Sequence, residues 1–190
     1  MGVNHHMRNR ALIVTDLQND FIHPQGALFS PGSRKALMPS ISLIESFAAK
    51  GLPIITTQDW HWGEVREFEQ FGPHCIADSK GAQLVEEVVG SLKGYNRWIR
   101  VYKPLFSAVE QTPLDHLLRE MKIHEVHVCG VTTHICVLYT IEGLFYRGYD
   151  IVVYPEALGS FREEDHRFAL RQMKETFHVH FSEIPKKGAE

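Results

Sequence analysis

A chain of 190 residues, 44% hydrophobic and 23% charged, has the length and composition of one soluble globular domain with a full-sized core. A formal charge of -3 gives no electrostatic handle for nucleic acid or an anionic membrane, and no apolar run approaches spanning length. Three widely spaced cysteines, Cys75, Cys129 and Cys136, behind an opening without a signal-peptide core, point to reduced thiols in a cytoplasmic compartment.

The opening "MGVNHHMRNR" is polar and reads as a flexible lead-in over residues 1–10, with a single domain over 11–190. Six segments read as strands: Ala11–Asp16, Leu52–Gln58, Arg97–Tyr102, Glu125–Gly130, Asp150–Pro155 and His178–Ser182. Between them the apolar spacing predicts helices over Ala36–Lys50, Gln83–Leu92, Leu114–Lys122, Ile135–Arg147 and Glu163–Thr176. Gly51 and Gly148 follow two of these helices and mark their ends, because glycine accepts the left-handed conformation of a helix stop. Strands that are apolar on both faces and alternate with helices predict a doubly wound α/β fold, a parallel sheet with helices on both faces.

In such sheets, chemistry collects past the carboxyl ends of the strands. Strand one runs into Asp16, strand two into Asp59 and His61, strand three into Lys103, and strand four leads to Cys136. Each alone has a plain reading as a capping aspartate, a solvated lysine, polar loop residues or a core thiol. Together they place an acid, a metal-type pair, a base and a thiol at one edge. Cys136 falls where a helix begins, and unpaired N–H groups and the helix dipole push a thiol there toward thiolate. Asp16 can accept its proton, Lys103 can stabilise the thiolate, and the first N–H groups of the helix can form an oxyanion hole. Cys129 lies within a strand and reads as core, and Cys75 reads as a bystander. No G-x-G-x-x-G follows the first strand, and neither a phosphate-binding Walker loop nor a G-x-S-x-G elbow is present.

"ALIVTDLQNDF", "TTQDWHW…FGPHC", "VYKPLFSA" and "CGVTTHICVLYTIEGLFYRGYDIVV" resemble the isochorismatase-like cysteine hydrolases, and most of all the nicotinamidases among them, from about Ala11 to Ser182. The resemblance implies a six-stranded parallel sheet and a triad of Asp16, Lys103 and Cys136. It also implies a cis peptide at Val131–Thr132 and oxyanion donors on the backbone of Thr132 and Cys136. Asp59 and His61 are two apart, so on an extended segment both side chains share a face. His74 follows as in the nicotinamidase pattern, and Glu67 stands where a third histidine is common; Glu64 and Glu69 are substitutes if the register slips. The implied cofactor is one divalent metal ion, zinc before iron or manganese. Phe21, Phe71 and Phe106 match ring-stacking positions, and His134 stands in the pocket motif where nicotinamidases usually carry an aspartate. The expected reaction is conversion of nicotinamide to nicotinate and ammonia through a thioester, with pyrazinamide as surrogate. Two alternatives stay open: a family hydrolase of another small amide or of isochorismate, and a catalytically silent binding module. The expected partner is a small aromatic amide, the expected assembly a homo-oligomer.

Overall fold

Along β1 (Arg10–Thr15), Leu12 and Val14 enter one apolar layer while Ala11 and Ile13 enter the other, so the two-residue period of an extended chain feeds two cores. The computed structural model describes residues 9–185. Most of the expected lead-in lies outside the described residues, as do residues 186–190, and β1 begins at Arg10, within the stretch read as flexible.

After β1 come two short helices, α1 (Asn19–Ile22) and α2 (Pro31–Lys35), then α3 (Leu37–Ala49) and β2 (Ile54–Asp59). Next are α4 (Phe68–Phe71), α5 (Glu86–Ser91), β3 (Trp98–Lys103), α6 (Leu114–Glu120) and β4 (Glu125–Val131). A single π turn, Thr133–Val137, opens α7 (Leu138–Tyr146), followed by β5 (Asp150–Gly159), α8 (Glu163–Glu175) and β6 (His180–Phe181). All strand pairs are parallel, in the order β3-β2-β1-β4-β5-β6. The first layer packs α3 and α5 on the sheet through Leu43, Ile44, Phe47 and Val88; the second packs α6, α7 and α8 through Leu118, Ile141, Leu144 and Met173. The expected six-stranded doubly wound sheet is therefore the observed one.

This order reverses direction between β1 and β4, and a crevice opens at the carboxyl ends of such a pair. Gly130 makes the crevice narrow. It pairs with Thr15 at φ +113°, and a Cβ there would collide with the Thr15 carbonyl oxygen. Asp16, the next residue of the first chain, is left-handed at φ +49°. For a non-glycine residue that conformation costs of order 1–3 kcal/mol, and such strain collects at functional sites.

Two expectations need correction. The fifth strand does not stop at Pro155: it continues to Gly159 after a bulge between the Val128↔Val153 and Gly130↔Leu158 pairs. Proline lacks a ladder donor, and a bulge is where a strand tolerates it. The helix after strand four begins two residues early, in the π turn, so Cys136 lies inside that turn. Among the described residues no helix is long and apolar enough to cross a membrane.

On the first layer His127 is buried, its Nδ1 2.8 Å from the Tyr154 hydroxyl and its Nε2 2.8 Å from Glu125 Oε1. Burial holds this imidazole below its usual value, with Glu125 only partly opposing. A group depressed in the fold stabilises it above the unfolded value of about 6.5 and ceases to do so as pH falls through its folded value. His127→Gln should therefore flatten the loss of thermal stability below about pH 6.5. Melting temperatures of both proteins from pH 7.5 to 5 check it, and parallel curves would contradict it.

Candidate active site

Strand ends deliver three of the expected residues to one point. Lys103, the last residue of β3, is fully buried, and its Nζ lies 2.9 Å from Asp16 Oδ2 and 2.9 Å from Asp59 Oδ1. It also donates to the Leu105 carbonyl at 3.2 Å and to Cys136 Sγ at 3.5 Å. Asp16 accepts a 2.6 Å hydrogen bond from the Thr57 hydroxyl through its other oxygen. The Val131–Thr132 peptide ahead of the π turn is cis.

Burial would discharge every member of this group, so the fold must pair their charges. Burial pulls the Lys103 ammonium down, but Asp16 and Asp59 outweigh it and hold the lysine charged, well above its usual value. Burial raises the Asp16 carboxyl; Lys103 opposes and Asp59 adds to the rise. For Asp59 the balance reverses: against burial, Lys103 and the two histidines hold it far below the usual carboxylate range. The Cys136 thiol is pushed well above its ordinary value by burial, with Lys103 opposing and Asp16 and Asp59 adding to the rise. A helix start favours the thiolate here, whereas in the fold burial and two carboxylates oppose the one ammonium and raise the thiol.

Asp59 also faces the other way. Its Oδ2 lies 3.1 Å from His61 Nε2 and 3.4 Å from His74 Nε2, and Glu67 Oε1 lies 2.8 Å from His61 Nε2. One ligand-type atom from each of Asp59, His61, Glu67 and His74 lies within 4.8 Å of the others. Tetrahedral zinc, with bonds near 2.1 Å, sets its ligands roughly 3.4 Å apart, which this cluster approaches. The Gly72 carbonyl lies 2.8 Å from His74 Nδ1, an arrangement that protonates this nitrogen and leaves Nε2 free to ligate. Glu67 Oε2 is buried without a hydrogen-bond partner. Burial alone would lower His61, yet Asp59 and Glu67 carry it up to about 9, so the cluster stabilises positive charge at its centre. These residues can hold a divalent metal ion. Glu64 and Glu69, the substitutes for Glu67, are exposed and outside the cluster.

A cavity of about 10 Å³, room for a single water molecule, touches Asp59, His74, Thr132 and Cys136. Phe21, Phe71 and Phe106 line it, as do three residues that sequence reading missed: Leu28, Ile135 and Phe161. His134 does not line it. Its ring bonds the Ser160 hydroxyl and meets the Phe161 ring edge-on at 5.7 Å, behind the wall. Phe71 and Phe106 meet at 83° and 6.2 Å, and beyond them lies an apolar groove of about 810 Å³. Sequence reading also missed Gln18, a buried amide that accepts from the Asp59 N–H at 2.8 Å and donates to the Asp59 and Ala82 carbonyls at 2.8 Å. Its place two residues past Asp16, in "TDLQNDF", was the one available signal.

A parallel α/β sheet with thiol, ammonium and carboxylate packed at its switch point beside a four-residue ligand cluster defines an isochorismatase-like hydrolase. The family model described as the Isochorismatase domain matches residues 10–182, and the chain belongs to that family. It is nicotinamidase-like within it. The crystal structure of nicotinamidase PncA from Bacillus subtilis is similar at a TM-score of 0.87 and 30% identity, over 92% of this chain and 99% of that one. N-carbamoylsarcosine amidase from Thermoplasma acidophilum is similar at 0.84 and 25% identity, over 95% and 99% of the two chains. Pyrazinamidase of Pyrococcus horikoshii, solved in complex with zinc, is similar at 0.79 and 28% identity, over 92% and 99%.

Proposed function

We propose that this protein hydrolyses nicotinamide to nicotinate and ammonia, with Cys136 as nucleophile, Asp16 as proton shuttle and Lys103 as their electrostatic partner. One observation carries the reading: Asp59 holds Lys103 with one oxygen and faces His61 and His74 with the other. The thiol and the ligand cluster are therefore a single site, and Asp59, His74 and Cys136 line one cavity. When bound by Asp59, His61, Glu67 and His74, a divalent ion, zinc before iron or manganese, supplies Lewis-acid anchorage for a ring nitrogen. The aromatic walls supply the faces of the ring pocket.

Asp16 takes the thiol proton as Cys136 Sγ attacks the carboxamide carbon. Lys103 neutralises the charge passing between sulfur and carboxylate, and the N–H groups of Thr132 and Cys136 receive the oxyanion. Asp16 returns the proton to the departing nitrogen, which leaves as ammonia, and a thioester remains on Cys136. Asp16 then deprotonates a water that attacks the thioester carbon, releasing nicotinate and restoring the thiol. A raised Asp16 holds a proton more readily than an ordinary carboxylate, as a group that takes and returns one must. Ring entry requires the Phe71–Phe106 wall to part toward the outer groove, since the resting cavity admits only water. The three free thiols suit a reducing, cytoplasmic location.

The narrow cavity favours one rival reading, an amidase of a smaller amide without a ring. Ammonia release from nicotinamide, pyrazinamide, N-carbamoylsarcosine and a small aliphatic amide decides between them. The nicotinamide reading expects the two ring amides to have the highest kcat/KM; a preference for either of the others overturns it.

Glu67 gives a sharper test of the ligand set. Two carboxylates neutralise a divalent charge, so Glu67→Ala should lose most bound metal and most activity, whereas Glu64→Ala and Glu69→Ala should lose neither. Elemental analysis of the three purified variants checks it. A full metal complement in Glu67→Ala would contradict the assignment.

A further inference from the structure

We propose that Asp20 is a positioning residue for the metal site, holding His74 in place through the backbone of Cys75; this rests on the metal reading above. Asp59 ends β2 and His61 follows it, while His74 arrives from a loop tied to that strand end just beyond Cys75: the His61 N–H donates to the Cys75 carbonyl at 3.1 Å and the Ala77 N–H to the His61 carbonyl at 2.9 Å. Those bonds fix the far side of Cys75, and its N–H, on the His74 side, needs a holder of its own. Asp20 Oδ2 accepts a 2.7 Å hydrogen bond from the Cys75 N–H, and Oδ1 accepts one from Ala27 at 3.1 Å. Cys75 is left-handed, at φ +45°, so the chain turns sharply straight after His74 with its N–H committed to this carboxylate. A carboxylate accepting two backbone N–H groups makes charge-assisted bonds, stronger than neutral ones.

The seat for that carboxylate is built on its other side as well. The Asp20 N–H donates to the Gly81 carbonyl at 3.0 Å, and Leu28 N–H donates to the Asp20 carbonyl at 2.9 Å. A Cβ on Gly81 would collide with the Asp20 carboxylate, so the loop approaches as closely as it does only because residue 81 has no side chain. The adjacent Phe21 ring meets the His74 imidazole edge-on at 6.0 Å. One turn thus fixes the peptide after His74 and contacts its ring, while neither Asp20 oxygen belongs to the ligand cluster.

Partners that orient metal ligands from behind typically set affinity by about 10–100-fold. Zinc affinity, measured by competition with a chromophoric chelator, is compared in the full-length wild type, Asp20→Asn, Gly81→Ala and Asp78→Asn, with cobalt absorption read in parallel. Asp20→Asn replaces one acceptor by a donor and should bind zinc about 10–100-fold more weakly. Its cobalt bands should shift, and its kcat should recover at saturating zinc, so that metal affinity moves far more than turnover. Gly81→Ala displaces the same carboxylate and should lose affinity in the same way, and it decides the matter if Asp20→Asn does not fold. Asp78→Asn, exposed in the same loop, should match the wild type. A folded Asp20→Asn with wild-type zinc affinity and cobalt spectrum overturns the role of Asp20 alone. A wild type that binds no stoichiometric zinc overturns the metal reading and this inference with it.

Discussion

Cys136→Ala should retain its fold and its bound metal and lose turnover by about 10⁴-fold or more. The sulfur is the one thiol in contact with both Lys103 and Asp16, and replacing it by hydrogen deletes the bond-forming atom while leaving those partners in place. The structural cost is small, because a single buried atom is removed from a turn fixed by the Ile135 and Val137 N–H bonds to the Thr132 carbonyl. The other two cysteines are the controls. Cys129 is enclosed in the first apolar layer, where burial pushes its thiol up to about 12 and neither Asp16 nor Lys103 is among the groups that act on it. Cys75 meets Asp20 through its backbone N–H, which alanine keeps. Cys129→Ala and Cys75→Ala should therefore keep substantial activity. Ammonia release with far-UV circular dichroism checks all three, and appreciable hydrolysis by Cys136→Ala would falsify the covalent route.

The second large effect belongs to Lys103→Met, which removes the charge and keeps much of the stem. Asp16 and Asp59 would then face each other across a fully buried space without a cation. Breaking such a buried pair costs about 3–5 kcal/mol of stability, because it leaves carboxylates uncompensated. The same change removes the one group that lowers the thiol, so the Cys136 alkylation profile should move to higher pH. Turnover should fall on the order of 10³-fold, the scale of losing one preorganised electrostatic donor. A Lys103→Met protein with an unchanged alkylation profile would remove the lysine from the mechanism, however unstable the variant proved.

Much of this was legible before any coordinates. Apolar strands alternating with helices specified the parallel sheet, and strand ends put Asp16, Asp59, Lys103 and Cys136 at one edge without knowledge of strand order. The two-residue spacing of Asp59 and His61 likewise predicted a shared face. Glu67 was different. No periodicity reaches through an irregular loop, so its assignment came from resemblance, and the fold now sets it 2.8 Å from His61. What escaped were residues whose work depends on contacts distant in sequence. Gln18 reads the backbone of Asp59, and Asp20 that of Cys75; neither contact leaves a pattern in the chain. Phe161 was hidden because a proline marks a strand end in sequence, whereas β5 runs on past Pro155 through a bulge. The direction in which the fold moves the thiol escaped for a related reason. A helix start is visible in sequence, but burial beside two carboxylates, which raises the thiol, is not.

The most direct measurement follows ammonia and nicotinate together during turnover of nicotinamide by the purified protein, first as loaded with zinc, then after chelation, then after zinc is restored. The two products should appear in equal amounts, stop on chelation and resume on restoration, and Cys136→Ala should form neither. If the zinc-loaded wild type releases no ammonia from nicotinamide, or releases it undiminished after the metal is stripped, the account is contradicted.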